Sequence, residues 1–212
     1  MSHDDLVGAL VADLTPVRPL RGWPVLAALL VGWLATVLAM RGAVGWRADV
    51  LAGDPAAIVV ERAIILLVAL APLLVGVMRL ARPGGRAALL LTGALAWLAL
   101  LPALALASVQ VRGELAMAAP ELAGTGRCVG LAVGCALPTL IILVIWARRW
   151  GAVTEPGRAS VAIGLVAAVS GVAIYSLTCP SQHWLFTGSA YSLAMASIVL
   201  LARLALPRLL RW

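Results

Sequence analysis

Cys128 and Cys179 are the residues of this chain whose type and placement could do chemistry. The chain holds three cysteines and two histidines, and His183 follows Cys179 by four residues. Two close thiols can form a disulfide, react with an oxidant or bind a soft metal ion. Cys128, Cys179 and His183 could together supply three metal ligands. The cysteines form no C-x-x-C pair, so the sequence favours a structural disulfide at least as strongly as a metal site.

The surroundings of Cys128 bear on its reactivity. Arg127 precedes it, and a cation beside a thiol favours the thiolate and raises reactivity. The alternative is that Arg127 extends towards lipid headgroups. Cys135 comes seven residues after Cys128, on the same helical face but about 10 Å deeper. We therefore expect Cys135 to be a small buried apolar residue rather than a reactive thiol.

The elements that position these residues are apolar segments of membrane-spanning length. Hydrophobic residues make up 63% of the chain, charged residues 12%, and the mean hydropathy is +1.06. A soluble domain of this size could not bury so many helices on all sides. Spanning a bilayer takes about 20 mostly apolar residues. The sequence therefore predicts an all-α integral membrane protein with six transmembrane helices, at residues 24–40, 57–78, 87–109, 128–147, 159–178 and 184–206.

The first apolar segment is short and near the N-terminus, as in a signal peptide. Three aspartates (Asp4, Asp5 and Asp13) precede it, however, and no small-x-small cleavage motif follows it. We expect this segment to be retained as a transmembrane helix.

The distribution of arginine predicts the orientation of the helices. The chain has 16 arginines and no lysine. Eleven fall on one side of the predicted topology: Arg18, Arg21, Arg79, Arg82, Arg86, Arg148, Arg149, Arg158, Arg203, Arg208 and Arg211. Five fall on the other: Arg41, Arg47, Arg62, Arg112 and Arg127. The positive-inside rule then places both termini in the cytoplasm, and the net charge of +7 needs no nucleic-acid partner to explain it.

The predicted spans are almost free of charge. Glu61 and Arg62 lie at the start of the second span, where we expect both side chains to reach water or each other. Channels and transporters usually carry ionisable groups near the membrane midplane, so their lack here argues against both classes. Pro72, Pro102 and Pro138 interrupt three spans, and we interpret them as kinks.

Small residues at helical spacing are concentrated in the second half of the chain. They are Gly130 and Gly134, then Ala167 and Gly171, then Gly188, Ser192 and Ala196. Such faces let helix backbones approach closely, although a chain rich in alanine and glycine produces single pairs by chance. Together they predict that spans four, five and six pack against one another. A hairpin of spans four and five would bring Cys128 and Cys179 together at the extracytoplasmic surface.

Residues 2–14 have the pattern of a short amphipathic helix. Apolar residues line one face (Leu6, Val7, Leu10, Val11 and Leu14), and the three aspartates lie elsewhere. An acidic helix is repelled by anionic lipid, so it fits better in the groove of a soluble, basic partner. A disordered or self-packed terminus is an equal alternative. We divide the chain into a cytoplasmic N-terminal segment (1–23) with a proline-rich link, a transmembrane domain (24–206) and a cytoplasmic tail (207–212).

Several of these features resemble one family of membrane regulators. The chain is similar to the six-span bacterial anti-sigma factors of the NrsF type, negative regulators that hold an extracytoplasmic-function sigma factor at the inner membrane. The matching residues run from one terminus to the other: Asp5-Leu6-Val7-Gly8-Ala9-Leu10, Pro16-Val17-Arg18, Arg127-Cys128, Pro138, Arg148-Arg149, Cys179 and Arg211-Trp212.

The resemblance implies a signalling role rather than catalysis. The N-terminal segment would bind the sigma factor, and Cys128 and Cys179 would detect oxidant or heavy-metal stress outside the cytoplasm. The partner-binding residues we expect are Asp4, Asp5, Leu6, Leu10, Asp13, Leu14 and Arg18. The protein would sit in the bacterial inner membrane, bind no nucleic acid directly and need no cofactor beyond a soft metal ion at the cysteines. Neither Cys135 nor His183 matches a family position, so a role for His183 as a further metal ligand rests on its spacing alone.

A membrane thiol-disulfide oxidoreductase coupled to quinone is the alternative from another functional class. Such enzymes use a redox-active C-x-x-C together with a second cysteine pair, and this chain has neither.

Overall fold

The apolar segments form helices, and the turns between them fall where glycine, proline and charged residues interrupt the apolar pattern. The computed structural model of the chain describes residues 22–112 and 124–210. The predicted N-terminal helix, its partner-binding residues and the last two residues lie outside this described part.

Eight helices make up the described part of the chain. They are α1 (Trp23–Ala43), α2 (Ala48–Leu51), α3 (Ala57–Leu80), α4 (Ala88–Leu98), α5 (Leu100–Arg112), α6 (Thr125–Trp150), α7 (Pro156–Ser176) and α8 (Trp184–Leu209). Helices α4 and α5 together form one span, and α2 is a single turn between the first two spans. Six spans are therefore long and apolar enough to cross a membrane, which confirms the predicted all-α membrane fold.

The third span contains a break that the sequence had marked with a proline. Helix α4 ends at Leu98 and α5 begins at Leu100. The ring of Pro102 would collide with the carbonyl of Leu98, four residues earlier, which accounts for the position of the break. Pro72 and Pro138, in contrast, lie inside helices that continue through them.

Helix α7 is the centre of the bundle. It contacts α1, α3, α6 and α8, and 16 of its 21 residues are buried. Helix α1 is the opposite case, because only three of its 21 residues are buried and it contacts mainly α6. Most of the apolar side chains of α1 are therefore left to face lipid.

Glycines make the closest helix crossings. A Cβ atom on Gly171 would lie 2.6 Å from the backbone nitrogen of Ala136 in α6. One on Gly164 would lie 3.2 Å from the Cα of Val199 in α8, and one on Gly188 would lie 2.5 Å from the carbonyl oxygen of Leu101 in α5. Since α6, α7 and α8 contact one another, the predicted packing of spans four, five and six is confirmed.

The G-x-x-x-G pair in α6 does not take part in this packing. Within the described part of the chain, no atom lies within 4 Å of a Cβ placed on Gly130 or Gly134. The spacing was therefore a consequence of composition here, whereas Gly171 opposite Ala136 is a true contact between backbones.

Two tryptophans tie neighbouring spans together through their indole N–H groups. Trp33 of α1 donates to the hydroxyl of Thr139 in α6 at 2.9 Å. Trp97 of α4 donates to the carbonyl oxygen of Ile65 in α3, also at 2.9 Å. In an apolar surrounding such bonds hold helices in a fixed register.

The two ends of the bundle differ in chemistry. We call the cysteine end the one where α1, α5 and α7 end and α3, α6 and α8 begin, because Cys128 and Cys179 lie there. We call the opposite end the arginine-rich end. Its described arginines are Arg79, Arg82, Arg86, Arg148, Arg149, Arg158, Arg203 and Arg208.

Replacement of Gly171 tests the crossing of α6 and α7. Gly171→Ala is expected to destabilise the fold by about 1–3 kcal/mol, because the added methyl group overpacks a crossing at which backbone must move. Gly134→Ala makes the same chemical change in open space and should leave stability unchanged or slightly higher. Thermal unfolding of the purified protein in detergent measures both, and equal melting temperatures for the two variants would contradict this view of the crossing.

Candidate functional site

The cysteine end brings Cys128 and Cys179 to the same group of side chains. Cys128 lies in the first turn of α6 and is half-buried. Cys179 follows the last turn of α7, its N–H donates to the carbonyl oxygen of Tyr175 at 3.2 Å, and its side chain is fully buried. Neither cysteine is part of a disulfide bond.

Two tyrosines lie between the cysteines. The Tyr175 side chain lies beside the thiol of Cys128, and the Tyr191 side chain lies beside the thiol of Cys179. The two rings meet edge to face, with their centroids 6.2 Å apart. Cys128 and Cys179 are thus the two ends of one continuous set of contacts that runs through Tyr175 and Tyr191.

A fully buried arginine completes this set. Arg62, in the second turn of α3, has no exposed surface. Its guanidinium donates to the carbonyl oxygens of Ile58 at 2.9 Å and Ser181 at 3.3 Å, and to the Tyr191 hydroxyl at 3.3 Å. It also lies over the Tyr191 ring, 5.8 Å from the centroid. Neutral oxygens and an aromatic face therefore stabilise its charge.

A second arginine holds the turn that carries Cys179. Arg47, just before α2, donates to the carbonyl oxygen of Cys179 at 2.9 Å and to that of Ser181 at 3.4 Å. The backbone N–H of Arg47 donates to the carbonyl oxygen of Leu177 at 3.3 Å. We call Arg47 and Arg62 the arginine pair, since both bind the α7–α8 turn (residues 177–183), one from the first loop and one from α3.

Asp49 fixes the position of Arg47. The two side chains form a bidentate ion pair, with Nε to Oδ1 at 2.9 Å and Nη2 to Oδ2 at 2.8 Å. Asp49 also accepts the backbone N–H of Ala56 at 3.1 Å. The Arg47 guanidinium, and then the Ala56 N–H, hold the pKa of Asp49 well below its ordinary value, and Asp49 raises the pKa of Arg47 in turn.

The remaining candidate residues have other positions. Cys135 is buried within α6, as predicted for a small apolar residue. Arg127 is exposed at the start of α6. His183 directly precedes α8, and its carbonyl oxygen accepts the Thr187 hydroxyl at 2.8 Å. Among residues 22–112 and 124–210, no three His, Cys, Asp or Glu side chains are grouped to hold a metal, so His183 does not join the two cysteines in a three-ligand site.

The expectation that Glu61 and Arg62 would reach water or each other is wrong for Arg62. Glu61 is exposed, whereas Arg62 points inward and binds the α7–α8 turn. Helical geometry explains the difference, because neighbouring residues on a helix face about 100° apart and only one of them can face the core.

Sequence reasoning also missed Arg47, Tyr175 and Tyr191. One signal was present: the chain has only two tyrosines, and both fall in apolar spans near the end that carries Cys179. A buried tyrosine needs a partner for its hydroxyl, so such residues point to a polar group within the bundle.

Comparison with known proteins assigns this arrangement to a family. The family model described as negative regulator of sigma F matches residues 10–212.

The chain belongs to this family.

A curated relative supports the same assignment over the full length. The chain is 31% identical to the anti-sigma-F factor NrsF of Caulobacter vibrioides, over an alignment of 236 residues that covers 100% of both proteins. No solved structure matches the chain significantly. The family is thus one of anti-sigma factors, which regulate transcription through a sigma factor.

We call Cys128, Tyr175, Cys179, Tyr191 and Arg62 the cysteine cluster, because these side chains lie together at the cysteine end. Each thiol lies beside a tyrosine side chain, so a disulfide or a metal thiolate would change the contacts of that tyrosine. Tyr191 in turn contacts Arg62. Cys179 is therefore linked through Tyr191 to the contacts that hold α3 to the α7–α8 turn.

The difference in burial predicts different reactivity for the two thiols. In the resting protein, a maleimide should alkylate Cys128 readily and Cys179 hardly at all, because only Cys128 is partly exposed. Arg62→Met removes charge-assisted bonds worth about 1.5–3 kcal/mol each, so alkylation of Cys179 should rise about tenfold or more while that of Cys128 stays the same.

The control for this experiment is Arg158→Gln, which changes an exposed arginine at the arginine-rich end. Mass spectrometry of the alkylated peptides gives the rate for each cysteine. Equal rates for Cys128 and Cys179 in the unmodified protein would contradict the burial of Cys179.

The low pKa of Asp49 predicts how stability depends on pH. A carboxylate whose folded-state pKa is depressed stabilises the fold fully above its ordinary pKa, and the contribution is lost as the pH falls towards the folded-state pKa. Asp49→Asn should therefore lower the melting temperature by a constant amount from about pH 8 to about pH 5, and by less and less below about pH 4. Thermal unfolding in detergent across this range measures the difference; a gap that widened in acid would contradict the ion pair.

Proposed function

We propose that this protein is an anti-sigma factor of the bacterial inner membrane that sequesters an extracytoplasmic-function sigma factor through residues 1–23. It releases that partner when Cys128 and Cys179 react with an oxidant or a soft metal ion outside the cytoplasm. Residues Asp4, Asp5, Leu6, Leu10, Asp13, Leu14 and Arg18 provide the surface for the sigma factor.

The family match over residues 10–212 carries the anti-sigma function. The curated relative from Caulobacter vibrioides is named an anti-sigma-F factor, and the alignment with this chain covers its full length. The six spans give such a regulator a membrane anchor. The orientation follows from the arginine distribution, with the arginine-rich end and both termini in the cytoplasm.

The contacts from Cys128 through Tyr175 and Tyr191 to Cys179 carry the proposal of sensing. Half-buried Cys128 meets the stimulus first, and buried Cys179 reacts second. With a peroxide, the Cys128 thiolate attacks an oxygen, the O–O bond breaks, and a sulfenic acid and an alcohol or water result. Cys179 sulfur then attacks the sulfenic sulfur, and the disulfide forms as water leaves. The two thiols together lose two electrons, which reduce the peroxide, and their protons leave in the products.

A soft metal ion is the second stimulus of the proposal. Two thiolates suit such an ion, and binding displaces the two thiol protons to the solvent. Either reaction draws the start of α6 towards the end of α7 and changes the contacts of the two thiols with Tyr175 and Tyr191.

Helix α6 offers the route from this site to the N-terminal segment. Cys128 lies at one end of α6, and further along the same helix Thr139 accepts the Trp33 indole of α1. A Cβ on Gly32 of α1 would lie 2.6 Å from Ile142 of α6, so the two helices are in close contact. Because α1 begins at Trp23, the last residue of the N-terminal segment, a shift of α6 changes the position of the helix that carries this segment.

A metal–thiolate site supplies more energy than full release of the partner requires, and a disulfide supplies a large part of it. Moving a partner from 99% bound to 1% bound takes about 5.5 kcal/mol of differential stabilisation. A disulfide contributes about 2–4 kcal/mol and a structural metal–thiolate site more. A single interhelical hydrogen bond in a membrane, worth roughly 0.6 kcal/mol, would not suffice.

Co-purification of the sigma factor tests the proposal. In native membranes solubilised with mild detergent, the unmodified protein should retain a sigma factor and lose it after treatment with peroxide or cadmium. Cys128→Ser and Cys179→Ser should each keep the partner under treatment, because one thiol can neither close the disulfide nor complete the thiolate pair. Mass spectrometry of the bound proteins gives the result.

Cys135→Ser is the matched control, since it removes a third thiol from the same helix as Cys128. It should release the partner as the unmodified protein does. A sigma factor that leaves the Cys128→Ser protein at the normal stimulus dose would refute thiol sensing and retain the anti-sigma function. Recovery of no sigma factor from untreated membranes would refute sequestration itself.

A further inference from the structure

A cavity on the lipid-facing side of α3 and α5 lies outside the cysteine cluster. Its volume is about 530 Å³, and it is open on one side. Cavities that bind small molecules in proteins span about 300–1,000 Å³, so this one has room for an organic ligand of moderate size.

The walls of the cavity are apolar, with one acidic group and two indole rings. Ile65 of α3 and Leu104 of α5 form the sides, and Trp97 and Trp184 contribute the rings. Glu61 supplies a carboxylate, and no described lining residue is a lysine, arginine or histidine. A carboxylate with indole rings and no cation attracts positive charge and repels negative charge.

The charge and the apolar walls lie at different depths. Glu61 is in the second turn of α3 and Trp184 is the first residue of α8, so both are close to the cysteine end. Trp97 and Leu100 lie further along, near the break between α4 and α5. The lining residues of α5 run from Leu100 to Val111, which is about 17 Å along the helix. A ligand that fits has a polar head at the membrane surface and an extended apolar tail.

The indole of Trp97 is held in place rather than free to fill the space. Its N–H donates to the carbonyl oxygen of Ile65, which ties the ring to the opposite wall. The cavity is therefore preorganised, and a ligand does not have to displace this side chain.

We propose that this cavity binds a single-chain amphiphile with an alkylammonium head. The ammonium group lies at the Glu61 carboxylate and the Trp184 ring, and the alkyl tail extends between α3 and α5 to Trp97. Charge complementarity selects this ligand over an anionic or uncharged amphiphile with the same tail, which would meet the same apolar walls but gain nothing from Glu61. A phospholipid fits less well, because none of the described lining residues could neutralise its phosphate.

Photolabelling of the full chain in nanodiscs of uncharged synthetic lipid tests the proposal. Three probes share a dodecyl tail with a terminal diazirine and differ only in the head: trimethylammonium, maltoside and sulfate. Peptide mapping should place the label from the ammonium probe on α3, α4 and α5, around Ile64, Trp97 and Leu104. The ammonium probe should label this region about tenfold more than the other two, the ratio expected for one partly desolvated charge contact.

Two variants test the charge of Glu61 and the volume of the cavity separately. Glu61→Gln should reduce labelling by the ammonium probe to the level of the maltoside probe, whereas Glu155→Gln, which alters an exposed carboxylate at the opposite end, should have no effect. Ala107→Trp keeps Glu61 but fills the cavity from α5, and should abolish labelling by all three probes at this site. The melting temperature of each variant confirms that it is folded.

Equal labelling of the unmodified protein by the three probes would overturn the proposal, because the cavity would then bind any alkyl tail without regard to the charge of the head group. Unchanged labelling in folded Ala107→Trp would overturn it as well. Binding of the probe requires no sigma factor and no cysteine, so these results are independent of the proposed function.

Discussion

The close approach of α7 to its neighbours is the constraint on which the rest of the structure depends. In a bilayer, apolar side chains gain nothing by leaving lipid for protein, so helices associate where backbones can come close. Helix α7 meets this requirement on several sides, because Gly164 opposes α8 and Gly171 opposes α6. With α7 buried, its last turn and Cys179 are buried too, and the polar groups around that turn must satisfy one another.

The cysteine cluster is a consequence of this burial. The turn after α7 has carbonyl oxygens that cannot reach water, and the arginine pair supplies donors to two of them. A buried guanidinium without a carboxylate is costly unless its donors are used, and Arg62 uses them on two carbonyls and the Tyr191 hydroxyl. The site that carries the thiols is thus also the site where the first loop, α3, α7 and α8 are joined.

The sequence was sufficient to predict the membrane spans and insufficient to predict which side chains make contacts between them. Long apolar segments specify membrane helices because the bilayer leaves no other backbone structure, and the positions of Cys128 and Cys179 at one end follow from counting spans. Which helix is central did not follow, because Gly130 and Gly134 have the same spacing as pairs that do pack. The inward direction of Arg62 depends on the rotation of α3 about its axis, which Tyr191 and Ser181 determine from more than a hundred residues away. The N-terminal interface stays a prediction.

The central position of α7 also determines the order in which the protein can assemble. Helix α7 is the fifth span to be synthesised, so α1 and α3 enter the membrane before the helix they pack around exists. Arg62 can form its hydrogen bonds to Ser181 and Tyr191 only after these residues, 119 and 129 positions later in the chain, have been synthesised. Until then an early span carries an unpaired charge near the membrane surface. Folding of the bundle is therefore completed from its C-terminal half, and the cysteine cluster forms only when the last helix has been inserted.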